Sequence, residues 1–124
     1  MVATDIVLVV DDDEMVRSTY DIALRHDGWQ TVLADSATAA LEQLERTEGI
    51  SVMLTDLTMP GTLDGGDLVH LVRAERPTIG IVLTTGHEIA PGSFGPDVPV
   101  LLKPFGLDQL LDTVRRAQPG STTA

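Results

Sequence analysis

Cysteine is absent from this chain of 124 residues, which excludes a disulfide framework and any thiolate metal site. Lysine is nearly absent: Lys103 is the only one, and the other basic residues are arginines. Basic residues of both kinds number 8 against 19 acidic ones, giving a formal net charge of −11. That balance disfavours nucleic-acid binding by this chain alone, because phosphate backbones attract basic patches. No apolar run approaches the ~20 residues that a membrane-spanning helix needs. No basic region precedes the first apolar stretch, which argues against a secretion signal. A soluble, cytoplasmic domain with no membrane partner is the resulting expectation. Hydrophobic residues make up 43% of the chain, enough for a packed core. The length fits one domain.

What is present alternates. Ile6–Val10, Trp29–Leu33, Val52–Thr55, Ile79–Thr84 and Val98–Leu102 are short apolar runs rich in β-formers. Such runs suit strands buried on both faces of a parallel sheet. Four amphipathic stripes lie among them. They are Val16, Tyr20, Ala23 and Leu24; Ala37, Ala40, Leu41 and Leu44; Leu68, Leu71 and Val72; and Leu107, Leu110, Leu111 and Val114. Spacings of three and four put each stripe on one side of a helix. Strand–helix alternation predicts a doubly wound α/β domain with helices on both faces. One crossover is poor in helix formers. From Gly86 to Asp97 the chain holds two prolines and three glycines, which predicts a loop or a single turn in place of a fourth helix. Residues 1–117 read as the domain and Gln118–Ala124 as a frayed tail.

In a sheet wound this way, ligands sit at the carboxyl ends of the strands. Asp11, Asp12 and Asp13 follow the first strand, Asp56 the third, Thr84, Thr85 and Gly86 the fourth, and Lys103 the fifth. Asp13 reads as a helix N-cap, with Glu14 suited to the positive end of the helix dipole. Asp11, Asp12 and Asp56 converge on one edge. Like charges ~4 Å apart repel by roughly 4 kcal/mol per pair at an effective dielectric of about 20. A hard divalent cation with oxygen ligands would offset that, and magnesium suits it best. Lys103 is a compact point charge able to meet a phosphate oxygen. The plainer reading of Lys103 is a surface lysine at a strand end, and that of Asp56 a turn residue before Pro60.

Four segments carry a resemblance. Val7-Leu8-Val9-Val10-Asp11-Asp12-Asp13-Glu14, Leu54-Thr55-Asp56-Leu57-Thr58-Met59-Pro60, Leu83-Thr84-Thr85-Gly86 and Leu102-Lys103-Pro104-Phe105 resemble, in order, the signatures of bacterial response-regulator receiver domains. The resemblance spans about Ile6 to Ala117. It implies a flavodoxin-like five-stranded parallel sheet of order 2-1-3-4-5. It implies that Asp56 accepts a phosphoryl group from a sensor histidine kinase or a histidine phosphotransfer protein. Asp11, Asp12, Asp56 and the backbone carbonyl of Thr58 would then hold Mg2+. Thr85 would be the switch hydroxyl, preferred to Thr84 because Gly86 follows it. Lys103 would pair with the phosphoryl group, and the Lys103–Pro104 bond would be cis. The chain would catalyse only its own modification, as a monomer or weak homodimer.

Departures from the family pattern also show. Val100 stands where the family usually has an aromatic, three residues before the lysine, and the turn Pro60–Gly65 is one residue longer than the common version. Both features, with the depleted fourth helix, resemble receivers of hybrid kinases or stand-alone receivers more than those of transcription factors. His87, two past Thr85, occupies a position that affects phosphoryl lifetime in the family, or is a plain loop residue. His26 and His70 read as surface or boundary residues, Trp29 and Phe94 as packing. Two other functions fit the same residues: a phosphorylation-independent binding module, and a small phosphohydrolase using Asp56 as nucleophile.

Overall fold

The computed structural model describes residues 5–90 and 92–119. Five strands and four helices follow in order: β1 (Ile6–Val10), α1 (Glu14–His26), β2 (Gln30–Ala34), α2 (Ala37–Arg46), β3 (Ile50–Asp56), α3 (Gly65–Glu75), β4 (Gly80–Thr85), β5 (Val100–Leu102) and α4 (Leu107–Ala117). The strands are all parallel in the order β2-β1-β3-β4-β5. This is the flavodoxin-like winding that the four signatures imply.

Alternation along each strand divides the core in two, since successive side chains point to opposite faces. On one face Leu8, Val10, Met53, Ile81 and Leu83 pack with Ala40 and Leu44 of α2 and Leu68 and Val72 of α3. On the other, Val7, Val9, Val52, Leu54, Val82 and Leu101 pack with Tyr20 and Leu24 of α1 and Leu110 and Val114 of α4. Each fully buried Val or Leu contributes about 1.5–3 kcal/mol of transfer free energy. Leu107 departs from its stripe: it lies at the first turn of α4 and is exposed.

Helix starts follow local chemistry. The Asp13 carboxylate accepts from the backbone N–H groups of Met15 and Val16 and so caps α1. Ser36 caps α2, and Asp64 with Asp67 forms a reciprocal capping box on α3.

Strand bounds differ from the sequence expectation in identifiable ways. Trp29 is not in β2; its N–H donates to Leu24 O in the turn that closes α1, and its ring is buried against the second core. β3 extends to Asp56, which pairs with Thr84 of β4. β5 begins at Val100 rather than Val98, since Pro99 has no N–H to donate to the ladder.

Among the described residues of 86–99 there is a turn at 92–94 and no helix. The segment is fastened to α3 instead. The Phe94 ring packs on His70, with centroids 5.6 Å apart, and Asp97 accepts from Arg73 Nη1 at 2.9 Å. Most of the expected tail, residues 120–124, lies outside the described residues.

α3 begins hard against the end of β3. The Gly65 N–H donates to Leu57 O at 2.9 Å, and a Cβ on Gly65 would stand 1.9 Å from Asp56 O. Backbone cannot yield there without moving Asp56. Gly65→Ala is therefore expected to lower the unfolding free energy by about 1–3 kcal/mol in urea titration. Gly86→Ala, whose added Cβ would meet nothing within 4 Å, should stay within about 0.5 kcal/mol of the parent.

Candidate functional site

The carboxyl ends of β1, β3 and β4 form one rim, joined there by the residues that follow β5. Asp11 directly follows β1 and is 1% exposed. Its Oδ1 accepts from the Asp13 N–H at 2.9 Å, while its Oδ2 is buried without a hydrogen-bond partner. Asp56 closes β3; its Oδ2 accepts from Lys103 Nζ at 3.3 Å and its Oδ1 from the Thr58 N–H at 3.4 Å. Lys103 Nζ also stands 3.7 Å from Asp11 Oδ2. Asp12 is exposed at the mouth.

Asp11, Asp12 and Asp56 each offer one carboxylate oxygen, and these oxygens lie within 4.8 Å of one another. One amine against three acids leaves negative charge in excess. Burial raises the Asp11 pKa above its ordinary value. The Asp13 N–H and the Lys103 charge pull it down, and the neighbouring Asp56 and Asp12 charges push it up. An all-oxygen donor set with an unpartnered buried oxygen fits a hard cation such as Mg2+ or Ca2+.

The two threonines ending β4 are used differently. Thr85 Oγ1 donates to His87 O and accepts from His87 N–H, both at 3.1 Å, so its hydroxyl is engaged in a local turn and not with Asp56. Thr84 is fully buried, and its hydroxyl has no partner. Thr58 is exposed, two residues past Asp56. The Lys103–Pro104 peptide is cis. Val100 is 39% exposed on β5, so its side chain is not part of the core.

Two neighbours of the site carry no signal in the motifs. Arg17 Nη1 donates to the Asp11 backbone carbonyl at 2.8 Å and ties α1 to the rim. Its place, one helical turn beyond the Asp13 cap, is the only hint in the sequence. Tyr20 reads as a core residue by its stripe, yet its phenol lies close enough to feel the acids. Burial, then the Asp11 and Asp56 charges, push its pKa up to about 12. Its ring stacks on Phe105 with centroids 5.9 Å apart.

Known proteins resemble this chain in sequence and in fold. A family model described as the response regulator receiver domain matches residues 7–115. The response regulator protein FleR of Pseudomonas aeruginosa is 35% identical over 114 residues, covering 89% of this chain and 24% of FleR. The sensor kinase CckA of Brucella abortus is 33% identical over 116 residues, covering 88% of this chain and 12% of CckA. The chain thus spans a quarter or less of these relatives, and both a response regulator and a sensor kinase carry the matching region. A crystal structure of a response regulator receiver protein from Pseudomonas putida superposes with a TM-score of 0.81 at 32% identity, covering 94% of this chain and 99% of that one.

The charge excess makes a metal test direct. A carboxyl whose folded pKa is raised stabilises the fold below its unfolded pKa, near 3.8 for Asp11, and that contribution is lost as pH rises through the folded value. Without metal, ionised Asp11 therefore weakens the fold at neutral pH. Millimolar Mg2+ is expected to raise Tm at pH 7 relative to EDTA, and to do so much less at pH 4, where protons compete for the same oxygens. Asp11→Asn should raise Tm in EDTA, by about 3–6 °C for each kcal/mol of relieved repulsion. It should also remove most of the Mg2+ effect, as read by calorimetry.

Proposed function

The chain belongs to the response regulator receiver domain family, and from that premise we propose that Asp56 is its phosphoacceptor. The donor is the phosphohistidine of a sensor histidine kinase or of a histidine phosphotransfer protein. The observation that carries this reading is the Asp56 carboxylate itself: 8% exposed, one oxygen on Lys103 at 3.3 Å, within a cluster of acids sized for a cation.

An oxygen of Asp56 attacks phosphorus in line with the departing imidazole nitrogen. The P–N bond of the donor breaks, its electron pair leaves with the imidazole, and an acyl phosphate forms on Asp56. Water later cleaves that acyl phosphate and returns the carboxylate and inorganic phosphate. Asp11, Asp12, Asp56 and the Thr58 carbonyl are the residues assigned to Mg2+, which when bound neutralises charge on the incoming phosphoryl group. Lys103 then turns from the Asp56 carboxylate to a phosphoryl oxygen, a contact that suits a compact ammonium. Thr85 must release His87 before its hydroxyl can donate to the phosphoryl group, so the turn at 85–87 would report the modification to the 86–99 segment.

The reading includes a cytoplasmic location, a monomeric or weakly dimeric state, and a domain ending near residue 117. No helix among the described residues is long and apolar enough to cross a membrane, which is compatible with that location. The chain acts on itself and does not turn over a separate substrate.

Incubation with acetyl phosphate and Mg2+ is expected to add one phosphoryl mass by intact mass spectrometry. Asp56→Asn should abolish it, and EDTA should reduce it by at least tenfold. Wild-type protein that stays unmodified would refute the assignment. Sustained release of phosphate from a small phosphoester, without accumulation of modified protein, would favour a hydrolase instead.

A further inference from the structure

Thr84, the other threonine ending β4, pairs in register with Asp56. Strand alternation sorts the rim residues by face. Val52 and Leu54 point into the core layer under α1 and α4, and so therefore does Asp56; Val82 points there too, and so does Thr84. Asp56 and Thr84 are register partners on adjacent strands. Thr85, one residue on, starts from the opposite face, and its hydroxyl is held by His87. Thr84 is thus the β4 hydroxyl on the carboxylate side of the sheet.

Lys103 gives that position a purpose. It follows β5, its backbone N–H bonds Thr85 O at 2.8 Å, and its ammonium meets Asp56 at the end of β3. β4 lies between those strands, whose axes are about 10 Å apart, so Lys103, its 3.3 Å contact and the Asp56 side chain together bridge over β4. The β4 residue beneath that crossing, level with Asp56 and on the same face, is Thr84. An ammonium has three N–H donors. One is taken by Asp56 Oδ2 at 3.3 Å, and Asp11 Oδ2 attracts the charge from 3.7 Å without a hydrogen bond. The Thr84 hydroxyl is fully buried and has no hydrogen-bond partner, so a neutral acceptor is left free on the strand between Asp56 and Lys103. A buried hydroxyl left unbonded is costly, and a bond that links it to the ammonium would remove that cost.

We propose that Thr84 is a positioning residue for Lys103: its hydroxyl accepts from one buried water that the ammonium also bonds, and so keeps the ammonium over Asp56 as the phosphoryl group arrives. This rests on Asp56 being the phosphoacceptor, but its test does not depend on that alone. Lys103 is the only lysine in the chain, so protein labelled with lysine at 13Cε gives one lysine signal. In Mg2+, Thr84→Val is expected to shift and narrow that signal as the side chain loses its anchor, while Thr84→Ser leaves it near the wild-type position. With phosphoramidate as donor, Thr84→Val should slow phosphorylation about tenfold, the scale of one hydrogen bond to a charged group. Thr84→Ser should restore the rate to within about twofold. In a Lys103→Ala background the Thr84→Val effect should vanish, because both act through one contact. Thr84→Val should unfold cooperatively at a urea concentration close to that of wild type, separating this role from a structural one. An unmoved lysine signal in Thr84→Val, or equal slowing with and without Lys103, would overturn the proposal. If wild type takes no phosphoryl group at all, the acceptor assignment fails and the lysine signal still decides the Thr84–Lys103 contact.

Discussion

Asp11 and Asp56 repel each other across the end of the sheet, and Lys103 is the amine set against both, at 3.7 and 3.3 Å. The fold tolerates this crowding because each carboxylate has a fixed partner on its other oxygen: the Asp13 N–H for Asp11 and the Thr58 N–H for Asp56. Neither partner is mobile side-chain chemistry; both are backbone groups in the turns that leave β1 and β3. The strain that remains is electrostatic. It favours whatever brings positive charge to the rim, and only a cation held there would let an anionic phosphoryl group approach the same acids.

Holding three acids in place demands a stiff floor. The apolar residues just below the rim, Val9, Val10, Leu54 and Leu83, are essentially unexposed and pack into both core layers. α3 is brought so close to β3 that only glycine fits at position 65. Arg17 ties α1 to the Asp11 carbonyl. The site therefore has rigid supports on the β1 and β3 sides. The β4 side is different. Among the described residues of 86–99 turns replace a helix; Phe94–His70 and Arg73–Asp97 link them to α3, and Val98 is buried in the core. The change of partner proposed for the Thr85 hydroxyl would act on this segment through its bonds to His87. Val100, with its side chain partly in solvent, offers no aromatic to couple that movement to β5.

Much of this was legible in the linear pattern. Short apolar runs alternating with stripes of helical period fix a parallel sheet, because only a doubly wound sheet buries both faces of such strands. Strand ends then locate Asp11, Asp56 and Lys103 on one edge, and the prolines and glycines after Gly86 rule out a long helix there. Boundaries were less legible. Trp29 has strand propensity, yet its N–H is taken by the turn closing α1. Leu107 fits the helical stripe, yet the stripe reaches the solvent before the core begins.

What the sequence by itself determined is the architecture and the set of groups on the rim, since period, strand ends and residue chemistry are local properties. What only the tertiary structure decided is how those groups are paired. The two adjacent threonines are chemically alike, and one is bound to His87 while the other is buried without a partner. Tyr20 reads as core in any helical projection, and only the structure shows that burial, then the nearby Asp11 and Asp56 charges, raise the pKa of its phenol. Hydrogen bonding and electrostatics depend on separations of a few ångströms between strands far apart in the chain, and no spacing along one strand encodes those.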